Sequence, residues 1–285
     1  MSAASLASTP LRLGRTLVRS IRDHAYDRPL PWFRPREIHR GTWSSSAITE
    51  ALRRHGICIL DRVMDGEQLR VYQDALDGVV TETIRRKVDP ADVPNAVTRR
   101  VDLACDPRFA DLVLDEVILA GVEAYYGKPL YLAATQAQRL EPIDSYEGKA
   151  FQWHHDTKGK YVKAMWLLSD VPSSGQRMSY IQESHAIRHP WTTYEETRLT
   201  DATARALGPV VECAAPAGSV VVFDTNGIHR GNRNLGPRRD TVVGVYTAGR
   251  YLEGCSFDPS RLGHLSEWQQ RIMTRSRIPS KGYRR

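Results

Sequence analysis

Past Pro129 the apolar residues of this chain stop recurring every three or four positions and begin to alternate. LYLAATQAQRL (130–140), YVKAMWLLSDV (161–171), RMSYIQ (177–182), SVVVFD (219–224) and TVVGVYT (241–247) are short β-branched or aromatic runs separated by turn residues. Period two places successive side chains on opposite faces of a strand, whereas a helix needs a period of 3.6. Before Pro129 the pattern is helical. Residues 47–55 read as a short amphipathic helix closed by Gly56, and ICIL (57–60) reads as a strand. Asp65 and Gln68 form a capping box that opens a helix to about Lys87. A second long helix is expected over about 109–126, ended by the Gly127-Lys128-Pro129 break. Helices first and at least five strands afterwards predict an α+β domain with a β-barrel or β-sandwich core.

The chain has no internal repeat and no low-complexity tract. Residues 1–45 read as a basic N-terminal arm and a proline-punctuated lead-in, 46–262 as a single domain, and 263–285 as a basic C-terminal helix and tail. MSAASLASTPLRLGRTLVRSIR at the start lacks acidic residues, which fits a transit peptide as well as an arm; arginines interrupt every apolar run, so no secretory signal core is present. We expect an arm on a cytoplasmic protein. No stretch approaches the ~20 apolar residues of a membrane helix. Cys58, Cys105, Cys213 and Cys255 form no CxxC pair and read as free thiols. A net charge of +7 admits an anionic partner, but the basic residues are dispersed and no nucleic-acid recognition motif accompanies them.

Chemistry concentrates in FQWHHD (151–156). If this stretch leaves a strand, Gln152, His154 and Asp156 share one face, while Trp153 and His155 take the other. His154 and Asp156 then offer an imidazole and a carboxylate as adjacent corners of a metal site, and His155 reads as a neighbour. Taken singly, such a pair reads more readily as a hydrated loop, and His229 alone as a satisfied surface or core histidine; the ordered set of strand, pair, strand, histidine and arginine reverses that. A third ligand is available in PAGSVVVFDTNGIHRGNRN, where Gly218 makes a turn, VVVF crosses a sheet and His229 emerges. Two histidines and one carboxylate on one face leave three positions open, a set that suits non-haem Fe(II). Arg239 opens the next strand, with Thr241 two residues on and on the same face. A buried arginine needs an anion, and its planar fork matches a carboxylate.

The ordered set resembles the Fe(II)- and 2-oxoglutarate-dependent oxygenases, most closely the phytanoyl-CoA dioxygenase-like family that includes ectoine hydroxylases. RRHGICILDRVMDGEQL, WHHD, GQRMSYIQESHAIRH, AGSVVVFDTNGIHRGNRN and the arginine before TVVGVY carry it, over about residues 50–248. The resemblance implies a double-stranded β-helix (a cupin-like jelly roll) flanked by helices. It implies that His154, Asp156 and His229 bind iron and that Arg239, rather than Arg238, holds the distal carboxylate of 2-oxoglutarate. It further implies consumption of O2, release of succinate and CO2, and oxidation of an unactivated C–H bond of a small molecule. Related halogenases carry a small residue in place of the carboxylate, so Asp156 favours hydroxylation. Where the family often has Gly-Ser-His, this chain has Glu183-Ser184-His185.

Thr241 and Gln138 are expected at the co-substrate, and Gln136, Gln152, Lys158 and Trp166 along the substrate wall. Lys158, Lys160, Lys163, Arg139 and Arg177 form a candidate basic rim for an anionic substrate. Two other classes remain open on sequence grounds. One is a catalytically silent metal-binding jelly-roll module; the other is an oxygenase acting on nucleic acid or protein.

Overall fold

The computed structural model describes residues 43–87, 98–101, 107–140, 151–156, 161–187, 198–232, 236–248 and 265–274. The basic N-terminal arm, Lys158 and Lys160 lie outside them.

Helix α1 (Ser45–His55) begins where the Ser44 hydroxyl accepts the Ala47 N–H, and ends at Gly56, whose φ of 76° turns the chain directly into strand β1 (Ile57–Leu60). Helix α2 (Gly66–Lys87) opens on the expected capping box: the Asp65 carboxylate accepts the Glu67 and Gln68 N–H groups, and the Gln68 side chain accepts the Asp65 N–H. The single helix expected over 109–126 is instead two, α3 (Pro107–Val113) and α4 (Glu116–Tyr126). The break has a local cause. Asp115 leaves the helical conformation, with a ψ of 124°, and its carboxylate accepts the Val117 and Ile118 N–H groups, so it starts a new helix instead of continuing the old one.

The strands form two antiparallel sheets. The larger contains β1, β2 (Thr98–Val101), β3 (Tyr131–Leu140), β4 (Tyr161–Leu167), β7 (Val220–Asp224) and β9 (Arg239–Thr247), in the order β1-β7-β4-β9-β3-β2. The smaller is β6-β5-β8, built from β5 (Met178–Ile181), β6 (Val210–Glu212) and β8 (His229–Gly231). Two short helices, α5 (Asp201–Ala206) and α6 (Glu267–Thr274), complete the described chain. The result is an α+β architecture.

Alternation on the large sheet divides its side chains between two apolar layers. Val162, Ala164, Trp166, Val220, Val222, Val242 and Tyr246 face the helices and pack with Ile48, Leu52, Leu76, Phe109 and Ile118. Ile57, Ile59, Met165, Leu167, Val221, Phe223, Val243 and Val245 face the small sheet and meet Met178, Tyr180, Val211 and Cys213. A third cluster, Trp153, Ile181, Leu199, Ala204, Leu207 and Ile228, lies beneath α5. Cys58 and Cys213 are buried and form no disulfide, and burial pushes the Cys58 thiol up to about 12. Among the described residues no helix is long and apolar enough to cross a membrane.

Candidate metal centre

The segment carrying His154 and Asp156 is not the end of a regular strand. It is a short piece of chain held by single bridges, Trp153 to Leu199 on one side and His154 to His229 on the other. His154 donates its N–H to the His229 carbonyl at 2.9 Å, and His229 returns the bond at 2.8 Å. Two residues on, the Asp156 N–H donates to the Thr225 carbonyl at 2.9 Å. Main chain alone therefore sets the separation of the two histidines.

His229 reaches this place through the turn after β7. Asp224 is buried at its head; its carboxylate accepts the Asn226 N–H at 2.8 Å and the Tyr125 hydroxyl at 2.5 Å. Tyr180 donates to the Asp224 carbonyl, and the Ser184 hydroxyl accepts the Ile228 N–H at 2.7 Å. Gly227 lies against Tyr180 so closely that a Cβ there would stand 1.8 Å from the phenol oxygen. Outside the turn, Trp153 donates to Asp201, which also pairs with Arg230 at 2.8 Å; the Arg230 guanidinium lies 4.4 Å from the Trp153 ring centroid. The neighbours of both histidines are thus tied together.

His154, Asp156 and His229 each offer a ligand atom, all within 4.8 Å of one another, a set that could hold a metal ion. Each imidazole fixes its own orientation. Nδ1 of His154 lies 2.7 Å from the Gln152 carbonyl and Nδ1 of His229 lies 2.9 Å from the Gly227 carbonyl. Those contacts place the proton on Nδ1 and leave the Nε2 lone pairs for a cation. Burial, then the neighbouring His229 and the Arg198 guanidinium, push His154 far below the ordinary histidine range. Burial pushes His229 down to about 4, against the pull of Asp156. Burial by itself would raise the Asp156 carboxyl; the Lys163 ammonium and the two imidazoles outweigh it and hold the group well below the usual range. Neutral imidazoles and an ionised carboxylate are the forms that bind metal.

Arg239, the first residue of β9, is buried on the inward face of the large sheet, the face that also carries Val243, Val245 and, on β4, Lys163. Its Nη1 donates to the Gln176 carbonyl at 2.8 Å, its Nε has no partner, and no carboxylate among the described residues pairs with it. Burial draws its pKa down to about 10, which leaves it cationic at neutral pH. The Thr241 hydroxyl and the Gln176 side-chain carbonyl are also buried without a partner. Gln138 stands opposite Thr241 on β3 and donates to Gln136 at 3.1 Å. One buried cation and two buried polar groups without partners are together suited to an anion with further polar atoms.

The phytanoyl-CoA dioxygenase profile matches residues 52–240, more than half of the 285-residue chain. The chain belongs to the phytanoyl-CoA dioxygenase family. No curated protein matches it in sequence. Among solved structures it is similar to the epimerase SnoN in complex with Fe3+, alpha ketoglutarate and nogalamycin RO, at 19% identity and a TM-score of 0.57, over 72% of this chain and 84% of that one. It is similar to HygX from Streptomyces hygroscopicus with nickel, 2-oxoglutarate and hygromycin B bound, at 20% identity and TM-score 0.55, over 72% and 88%. It is also similar to EctD from S. alaskensis in its apoform, at 19% identity and TM-score 0.56, over 78% and 86%. At these identities the likeness is one of fold.

Within this phytanoyl-CoA dioxygenase fold, several residues stand elsewhere than the sequence suggests. Trp166 faces the helices, not the metal centre: it is buried among them with its ring edge-on to Trp43, centroids 5.8 Å apart. Period two on β4 gives the inward face to Lys163, Met165 and Leu167 instead. The Gln152 side chain is exposed, and its carbonyl, not its amide, serves the site. Arg139 faces the helices as well, paired with Asp77 and bound through two nitrogens to Asp240 at 2.8 and 2.9 Å. Arg177 is taken by Glu212 at 2.6 Å. Neither is a free rim cation. Lys163 is not one either, because its ammonium lies 2.7 Å from Oδ2 of Asp156. Nothing in the spacing of Lys163 announces that pairing; only the inward face of β4, counted from Leu167, selects it. Glu183 adopts a φ of 64°, so the turn keeps the left-handed conformation for which the family often supplies glycine.

Proposed function

We propose that the protein is an Fe(II)- and 2-oxoglutarate-dependent dioxygenase that hydroxylates an unactivated C–H bond of a small molecule. His154, Asp156 and His229 bind the iron, and Arg239 with Thr241 holds the distal carboxylate of 2-oxoglutarate. The observation that carries this reading is the convergence of two imidazoles and a carboxylate within 4.8 Å of one another. It is supported by Arg239, a buried cation that no described carboxylate pairs, on the inward face of the same sheet as Lys163. The donor chemistry fits: two imidazoles and one carboxylate, with room for further ligands, suit Fe(II) oxygen chemistry. We also read the two facing sheets as the halves of a double-stranded β-helix, a reading supported by the apolar layer they share.

Bound iron, with 2-oxoglutarate as electron donor, supplies O2 activation that yields succinate and CO2 and oxidises the substrate. The protein's own residues do the positioning. The Gln152 and Gly227 carbonyls hold both imidazoles in one tautomer, and the bridge between His154 and His229 holds their spacing. Arg239 orients the co-substrate through a two-point contact, and Gln138 lies within the same wall. The apolar layer of Met165, Phe223 and Val243 keeps water from the site. Retention of Asp156 as a ligand leaves no place for a halide, which supports hydroxylation.

The test is an anaerobic titration of metal-free protein with Fe(II) and 2-oxoglutarate, following the visible band of the chelate. Wild type is expected to show the band and His154→Ala to lose it. Arg239→Ala should raise the 2-oxoglutarate dissociation constant about 100-fold, the worth of a two-point charge-assisted contact of roughly 3 kcal/mol. Folded wild-type protein without a band would overturn the assignment.

A further inference from the structure

Lys163 and Asp156 form an ion pair inside the candidate metal centre, and its geometry is unequal. Oδ2 receives the ammonium at 2.7 Å, while Oδ1 is turned to the histidines, 4.0 Å from Nε2 of His154. Lys163 comes from the large sheet, opposite Phe223 on one side and Val245 on the other, whereas Asp156 lies on the bridge segment. The pair therefore spans two separately supported pieces of chain. Both side chains are only partly exposed, at 27% and 24%, so water competes weakly for the contact.

We infer, resting on the metal reading above, that Lys163 is a positioning residue that restricts Asp156 to one coordinating oxygen. A carboxylate beside a cation can bind through one oxygen or both. With Oδ2 held by a point charge from the sheet, rotation that would bring it to the metal costs that ion pair. Asp156 then contributes one atom, His154 and His229 one each, and three of the six octahedral positions stay open. Without Lys163 the second oxygen is free to bind, and the open positions fall to two. A chelating co-substrate and a further ligand together need three, so the contact protects the coordination number on which the proposed chemistry depends.

Arginine is not equivalent here. A guanidinium fork engages both oxygens of a carboxylate and would draw Oδ1 from the metal. Lysine, a single point charge on a flexible stem, takes one oxygen and leaves the other. The residue type thus matches the task.

The experiment uses Mn(II) alone, without co-substrate, and counts metal-bound water by proton relaxation. Wild type, Lys163→Met and Lys163→Gln are compared at equal Mn(II) occupancy, with His154→Ala as the unliganded control. Each bound Mn(II) in wild type carries three exchangeable waters on this inference and two in either variant, so relaxivity per bound ion falls by about a third. Mn(II) affinity stays equal or tightens, since a ligand atom is gained. Lys163→Arg is expected to weaken Mn(II) binding instead. Unchanged relaxivity in a folded Lys163 variant would overturn the inference while leaving the metal site intact. Wild type that binds Mn(II) no better than His154→Ala would overturn the metal reading itself, and the inference with it.

Discussion

Glu183 carries a cost that its neighbours have not removed. A left-handed backbone brings the Cβ of an L-residue close to its own carbonyl, worth roughly 1–2 kcal/mol, and glycine escapes that penalty while giving back part of it as chain entropy. Glu183 accepts φ 64° because the turn is fixed on both sides: its N–H donates to the His55 carbonyl at 3.0 Å, and its carbonyl accepts the Ala186 N–H at 3.1 Å. Glu183→Gly should therefore stabilise the protein by about 0.5–1 kcal/mol, read as a higher urea midpoint at unchanged slope. A lower midpoint would mean that the glutamate side chain contributes more than the strain removes. On the readings proposed above, Arg239 and Lys163 belong at this same scale, since a single substitution removes either cation.

At the scale of elements, the turn from Asp224 to His229 decides whether the ligands meet. Gly227 is required there by space: a methyl group would enter the wholly buried Tyr180 ring, whose hydroxyl is already committed to the Asp224 carbonyl. Gly227→Ala should cost more than 2 kcal/mol through overpacking of the turn, and should lower Mn(II) affinity at least tenfold because the Gly227 carbonyl that orients His229 moves with it. A variant with native metal affinity would show that the turn relaxes without carrying the ligand along. Elements are also where the sequence is read best and worst. Gly56 and the Asp65–Gln68 pair mark the ends of α1 and α2 through local hydrogen bonds, so they are visible in a short window. The strands of five residues or more betray themselves by alternation. Strands β6 and β8 span only three residues, too few for a period, and β2, TRRV, carries one apolar residue where β1, ICIL, is apolar throughout; these strands exist because partners lie beside them. The break at Asp115 is hidden because apolar residues run at helical spacing on both sides of it.

For the whole molecule, the consequence is a stability that depends on pH in the metal-free state. Folding holds His229 down at about 4, while an unfolded histidine titrates near 6.5. The neutral form is the one the fold prefers, so the stabilisation is complete above about 6.5. It is lost progressively as pH falls toward 4, because the unfolded chain takes up a proton that the native state refuses. For His229 alone the loss is on the order of 3 kcal/mol, and the downward shift of His154 acts in the same direction. Urea midpoints of chelator-treated protein should drop across this window, and His229→Gln should flatten the slope. A flat profile in wild type would contradict the buried neutral imidazoles. The candidate site was legible as an ordered series, His154 and Asp156, then His229, then Arg239, since each follows a recognisable turn or strand start. Its supporting contacts were not. Lys163 looks like one of several lysines, and Trp166 like a cavity wall, until the face of β4 is known.

The mutual backbone bond between His154 and His229 has one more implication. Because the two imidazoles are spaced by main chain, the walls around them can change without retuning the metal. On the function proposed above, a library of substitutions at Met165 and Gln136 is free to explore new substrates against a constant metal centre, and its members should differ in what they accept far more than in how they bind the ion; Phe223, edge-on to His229 with ring centroids 5.4 Å apart, belongs to the fixed part.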